Sequence, residues 1–222
     1  MFKDRRDAGK KLARALEKYK NKKVIVLAIP KGGVEIGYYV AKHLGADFSI
    51  IVSRKLPYPN NPEAGFGAIA EDGSIFLLED AKYILKENIE AIIREQKREI
   101  KRRIKILRKN KPLPNLKDKI VILVDDGIAM GSTMLVSVML CKKRKAKKIV
   151  VASPVSGKAF AESIKDKVDD VVILETPEFF QAVAQVYENW YDVSDEEAIK
   201  IMKRWEKEKL QQKKRLKQEK NK

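Results

Sequence analysis

The chain has 222 residues, enough for one main domain with appendages rather than two equal domains. Hydrophobic residues at 44% and charged residues at 36% exclude wholesale disorder, and 11 Gly with 8 Pro exclude collagen-like or low-complexity chains. A formal charge of +17 suggests nucleic acid or an anionic surface as partner, provided the charge is gathered where such a partner could use it.

Residues 1–7 lack the apolar stretch of a secretory signal, and no later apolar run could span a bilayer, so a soluble cytoplasmic protein is expected. Short β-branched runs at 24–29, 48–52, 75–78, 120–124, 149–152 and 171–174 read as strands. Most are continuous rather than alternating, the pattern of strands covered on both faces. Helical stretches at 34–44, 80–109, 132–143 and 157–166 lie between them, which predicts an α/β fold with a largely parallel twisted sheet flanked by helices. Ser194-Asp195-Glu196-Glu197 reads as a helix start. The predicted organisation is a domain over 1–195, with a long helical segment at 80–111, followed by a basic helical tail over 196–222 whose last turns fray.

The basic charge is concentrated in residues 1–23, 82–111, 142–148 and 203–222, and the remainder of the chain is net acidic at −11. In 82–111, Leu85, Ile89, Ile92, Gln96, Ile100, Ile104 and Leu107 recur every three or four residues and predict one buried stripe, with Lys and Arg on the solvated faces. Cys141, the single cysteine, cannot form an intramolecular disulfide and reads as a packed residue, and His43, the single histidine, has no metal-ligand spacing around it. Trp190 and Trp205 read as core or interface residues before they read as base-stacking platforms.

In parallel α/β sheets ligands bind at the carboxyl ends of the strands, and three strand-end loops carry chemistry. After the strand at 120–124, Asp125 and Asp126 are followed by Gly127, Ile128, Ala129, Met130, Gly131, Ser132 and Thr133 at the foot of a helix. Backbone N–H groups, the helix dipole and two hydroxyls can converge there on a phosphate. The two carboxylates suit vicinal hydroxyls, a hydrated Mg²⁺ or a developing positive charge. After the first strand, Lys31-Gly32-Gly33 offers a cation beside a permissive backbone. After the second, residues 52–68 include Arg54 and Lys55 in a Pro-, Gly- and Asn-rich loop long enough to be a lid.

These segments together resemble the type I phosphoribosyltransferases. An apolar strand, two acids, a spacer and Gly131-Ser132-Thr133 resemble the family's signature for phosphoribosyl pyrophosphate (PRPP), and the run from Asn61-Pro62-Glu63 to Gly67-Ala68 resembles a poorly characterised branch of it. The resemblance covers roughly residues 1–200. It implies the type I fold with a small hood, Mg²⁺ as cofactor, and transfer of ribose 5-phosphate from PRPP to a nitrogenous acceptor with release of pyrophosphate. In its terms Gly127 to Thr133 bind the 5′-phosphate, Lys31, Gly32 and Gly33 the pyrophosphate, Asp125, Asp126, Arg54 and Lys55 act in catalysis, and Asp125 or Asp126 meets the metal through water. A homodimer is left open. Met130 stands where the family usually has Thr, and Ala129 where 6-oxopurine enzymes carry Asp, which disfavours that acceptor class and leaves orotate, uracil and adenine open. A PRPP-sensing regulator that binds nucleic acid without turnover is the alternative, resting on the +17 charge, the basic cluster at 142–148 and Met130.

Overall fold

The computed structural model describes residues 1–220. The chain opens with α1 (Arg5–Ala15), β1 (Val24–Ala28), α2 (Gly33–Leu44) and β2 (Asp47–Ile50). Three strands follow, β3 (Ser53–Tyr58), β4 (Asn61–Ala70) and β5 (Ile75–Leu77), and then α3 (Lys86–Arg108). The remainder alternates β6 (Ile120–Val124), α4 (Ser132–Lys143), β7 (Lys148–Val155), α5 (Lys158–Ser163) and β8 (Asp170–Glu175) before α6 (Asp195–Lys220).

β2, β1, β6, β7 and β8 pair in that order, all parallel. The order reverses between β1 and β6, and in such sheets the crevice beyond the strand ends at that reversal is where ligands bind. The register sets Ala28 beside Val124, so the chains leaving β1 and β6 emerge side by side. Both faces are covered. Val24, Val26, Ile122, Val124 and Val150 pack with α1, α2 and Trp205, while Ile25, Leu27, Val121, Leu123 and Val151 pack with Met134, Val138 and Cys141 of α4. That double burial is why these strands read as continuous apolar runs.

β3, β4 and β5 form a separate antiparallel sheet over the carboxyl edge of the parallel one. Residues 52–68, read above as a lid loop, are therefore mostly a hairpin, and 75–78 belongs to this hood rather than to the main sheet. The composition misleads for a physical reason. Pro57 sits where the β3–β4 register shifts and no ladder donor is required, and Gly67 lies where a Cβ would be 2.2 Å from the Phe76 carbonyl oxygen.

Three helices also differ from expectation. α1 goes unread in the sequence, yet Asp4 caps it by accepting from the Asp7 N–H at 2.7 Å, and Ala8 and Leu12 are buried. α3 starts at Lys86 after a 3₁₀ turn at Glu79–Tyr83, and Leu85, placed in the buried stripe, is exposed, whereas Gln96, Ile100 and Leu107 are buried. α5 ends at Ser163, short of residue 166. The start of α6 is a capping box, Ser194 Oγ accepting from the Glu197 N–H and Glu197 Oε2 from the Ser194 N–H. Trp205 anchors it, edge-on to Tyr38 and Phe48. The helix runs through Lys220, and the expected fraying, where it falls on residues 221 and 222, lies outside the described residues. No described helix is long and apolar enough to cross a membrane.

Candidate active site

A cavity of about 400 Å³ opens between the carboxyl edge of the parallel sheet and the hood. Its core wall is Asp125 with Gly127 to Met134, and its hood wall includes Lys55, Tyr58 and Gly65, with Val183 closing one side.

The core wall is made chiefly of backbone. The Ile128 N–H is spent on the Val155 carbonyl, which pins the turn to β7. Beyond it the N–H groups of Ala129, Met130, Gly131, Ser132, Thr133 and Met134 have no acceptor among the described residues, and the first helical bond is Leu135 N–H to Gly131 O. Six donors at the positive end of α4, in a cavity, are an arrangement that can receive an anion. Gly131 is required twice over, since its φ is +78° and a Cβ would lie 2.1 Å from the Phe160 ring. Met130, 70% exposed, contributes backbone and leaves its side chain in solvent.

The adjacent carboxylates have different surroundings. Asp125 lines the cavity; burial, and then the neighbouring Asp126 charge, push its pKa well above the usual carboxylate range. Asp126 does not line it. Its Oδ2 accepts from Arg5 Nε at 2.7 Å, and the Arg5 guanidinium, 3% exposed, also donates to the Tyr191 carbonyl and stacks 4.0 Å from the Trp190 ring centre. Tyr187 Oη donates to the Asp126 carbonyl at 2.6 Å. Arg5, Tyr187 and Trp190 thus hold the acidic turn from beneath. Sequence reasoning missed them: Arg5 sits in a basic run that looks solvated, and nothing local signals a partner 121 residues away.

Gly32 and Gly33 abut the other side of these acids, and Lys31, Gly32 and Gly33 stand outside the cavity lining. A Cβ on Gly32 would be 1.8 Å from Asp126 Oδ2, and one on Gly33 would be 2.9 Å from the Val124 carbonyl oxygen. The two glycines therefore bring the β1 loop against the β6 loop. Lys55 points into the cavity and donates to the Glu63 carbonyl across the hairpin. Arg54, next to it on β3, turns to the opposite face, donates to Gln96 Oε1 at 3.0 Å and lies half-buried near Arg103, outside the cavity lining. Arg103 in turn reaches toward the Pro30 carbonyl at 3.5 Å, so these two cations stand behind the Lys31 loop.

Among the described residues no group of three His, Cys, Asp or Glu side chains could hold a metal ion. Mg²⁺ does not need one, because it keeps several waters and is commonly held by one or two carboxylates plus substrate phosphates. Asp125, facing the row of donors, fits that role, and Asp126 is committed to Arg5. Cys141 is fully buried and its thiol is pushed up to about 12 by burial, which makes it inert packing. His43 abuts the Glu17 carboxylate on the surface. The basic cluster at 142–148 lies at the carboxyl end of α4 and the start of β7, at the sheet edge opposite the cavity.

A doubly wound sheet with a hood, and a donor-lined turn facing a carboxylate at the strand-order reversal, defines an α/β protein with a cleft in the place where such folds bind ligands. The chain belongs to the phosphoribosyl transferase domain family, which residues 3–189 match, and its fold is the type I fold of that family. It is 37% identical over 207 residues to Rv0571c of Mycobacterium tuberculosis strain H37Rv, whose name assigns it provisionally to the phosphoribosyl transferases, and equally to the counterpart in strain CDC 1551. That alignment takes in 92% of this chain and 47% of the relative, so the chain spans about half the length of the curated relatives it matches. The crystal structure of TT1426 from Thermus thermophilus is similar at TM-score 0.77 and 33% identity, over 92% of this chain and 98% of that one. A remoter likeness, TM-score 0.48 and 14% identity over 79% of this chain and 75% of that one, is to a hypoxanthine phosphoribosyltransferase from Staphylococcus aureus.

Proposed function

We propose that this protein transfers the ribose 5-phosphate of PRPP to a nitrogen nucleophile and releases pyrophosphate. The observation that carries the reading is the row of six unpaired N–H groups from Ala129 to Met134, opening into the same cavity as Asp125 and Lys55 in a chain of this family.

The turn from Gly127 to Thr133 takes the 5′-phosphate, which orients the sugar over Asp125. Asp125 accepts from the ribose hydroxyls, and its charge stabilises the positive charge that grows on the sugar as the anomeric C–O bond lengthens. The cationic sugar and the hydroxyls restore to Asp125 the solvation that burial removes, so substrate binding favours its ionised form. Asp126 acts one step back: held by Arg5, it fixes the turn and keeps Gly32 close. Lys31 with the N–H groups of Gly32 and Gly33, together with Lys55 from the hood, neutralises the departing pyrophosphate, with Arg54 and Arg103 adding positive potential from behind the loop. Asp125 would hold a bound Mg²⁺ through water, and such an ion would supply further charge neutralisation. The family match gives no support to the nucleic-acid-binding regulator.

The test is PRPP binding by titration calorimetry and pyrophosphate release across a panel of purine and pyrimidine bases with Mg²⁺. Saturable PRPP binding with base-dependent release is expected. A protein that neither binds PRPP nor releases pyrophosphate overturns the reading.

A further inference from the structure

A second cavity, of about 500 Å³, shares no residue with the first and lies between α1, α2 and α6. It is lined by Arg6, Lys10 and Arg14 of α1, Tyr39, Lys42 and His43 of α2, and Arg204 of α6, with Ala13 the remaining residue and no acid among them. Arg6, Lys10 and Arg14 recur every four residues and so stack along one helix face, where like charges repel.

Some surface cations of this protein are paired with acids. On the same helix Lys11 meets Asp7 at 2.8 Å, and on α3 Arg102 meets Glu99 at 2.7 Å. Arg6, Lys10 and Arg14 meet no carboxylate within 4 Å among the described residues. The acids that pair with the cations of α2 and α6 in this lining are shared. Glu208 accepts from Lys42, Arg204 and the Tyr38 hydroxyl, and Glu17 from Lys20 and His43. Gly9 sets this geometry: a Cβ there would lie 3.3 Å from the Ile36 Cα and 3.1 Å from the Tyr39 Cβ, so its absence lets α1 settle onto α2 and converge the cations of both helices on one concavity. Tyr39, half-buried, presents part of an aromatic face to the same space.

We propose that this groove binds a polyphosphate, either the phosphate chain of a nucleotide or an inorganic polyphosphate. Arg and Lys recognise phosphate oxygens through charge-assisted hydrogen bonds, the volume matches a small-molecule site, and a compact polyanion is the ligand that relieves the mutual repulsion of Arg6, Lys10 and Arg14 in a concavity lined by no acid. The proposal stands apart from the transferase reading, because its residues are not those of the cleft.

Titration calorimetry with sodium tripolyphosphate and with ATP tests it on the wild type, on R6A/K10A/R14A and on K31A/K55A, which removes the cations assigned to the transferase reading and none of the groove. The triple variant is expected to weaken tripolyphosphate at least tenfold for one binding event that K31A/K55A retains. The three side chains are exposed, so the variant should keep its thermal unfolding midpoint within a few degrees; if it does not fold, the single Lys10→Glu is read in the same way. ATP binding tighter than tripolyphosphate and weakened by Tyr39→Ala identifies a nucleotide, and equal affinity an inorganic chain, both in support. Absence of tripolyphosphate binding, or an affinity the triple variant leaves unchanged, overturns the proposal. So does single-stranded RNA that binds over tenfold tighter than tripolyphosphate through the same residues, since the groove would then be a nucleic-acid surface.

Discussion

The two walls of the cleft are built by opposite means. The core wall is a turn between a fully buried strand and a long helix, and its chemistry is carried by backbone N–H groups and one carboxylate backed by a buried ion pair. The hood wall is an antiparallel hairpin on an exposed edge, with two register shifts, and its contribution comes from side chains such as Lys55 and Tyr58. A donor array on a rigid frame costs no reorganisation when a charge arrives, which would suit the 5′-phosphate of the proposed reaction. A hairpin cation would suit the leaving pyrophosphate of that proposal.

Substitutions can break this division. Asp125→Asn should have the largest effect, lowering the rate of pyrophosphate release by about 10²-fold or more, as losses of a group aimed at developing charge do. Because the fold raises the Asp125 pKa, folding loses stability as pH rises from the ordinary carboxylate range through the raised value. Asn should therefore unfold at a higher temperature than wild type at pH 8, with the gap narrowing at pH 4. Next comes Arg5→Met, which leaves Asp126 buried without its partner and should cost about 3 kcal/mol in a urea titration. It should also weaken PRPP binding if the turn depends on that support; unchanged affinity would mean that Gly32 and Gly33 alone position the acids. Lys55→Ala should lower turnover by about tenfold while leaving 5′-phosphate affinity, measured with ribose 5-phosphate, near wild type. Equal losses in both would show that the walls share one task. The smallest change is expected of Met130→Thr: the side chain is in solvent and the backbone N–H is already free, so PRPP affinity should stay within about threefold, and a large gain would mean the missing hydroxyl had been limiting.

The core wall was legible in the sequence and the hood was not. Asp125, Gly127, Gly131, Ser132 and Thr133 are contiguous, and a buried strand, a turn and a helix foot each have local signatures. Lys31-Gly32-Gly33 is recognisable for the same reason. The hairpin hides because Pro57 serves a register shift and Gly65 and Gly67 serve close approaches to β3 and β5, contacts that exist only once the strands have paired. Arg54 and Lys55 look equivalent as neighbours in sequence. On a strand they face opposite ways, so only Lys55 reaches the cavity. The adjacent acids separate too, one facing the cavity and one paired beneath it.

By itself the sequence determined the elements whose signal is local: the apolar strands of the main sheet, most of the helices around them, the turn between β6 and α4 and the location of the basic segments. Tertiary structure decided which charges matter. Asp126 became a buried anchor because α1 brings Arg5 beneath it, and the basic run of residues 1–23 was divided among that anchor, surface pairs and a cationic groove. The physical reason is that a charge acts through its distance to other charges and to water, and in a folded chain both are set by residues far away in sequence.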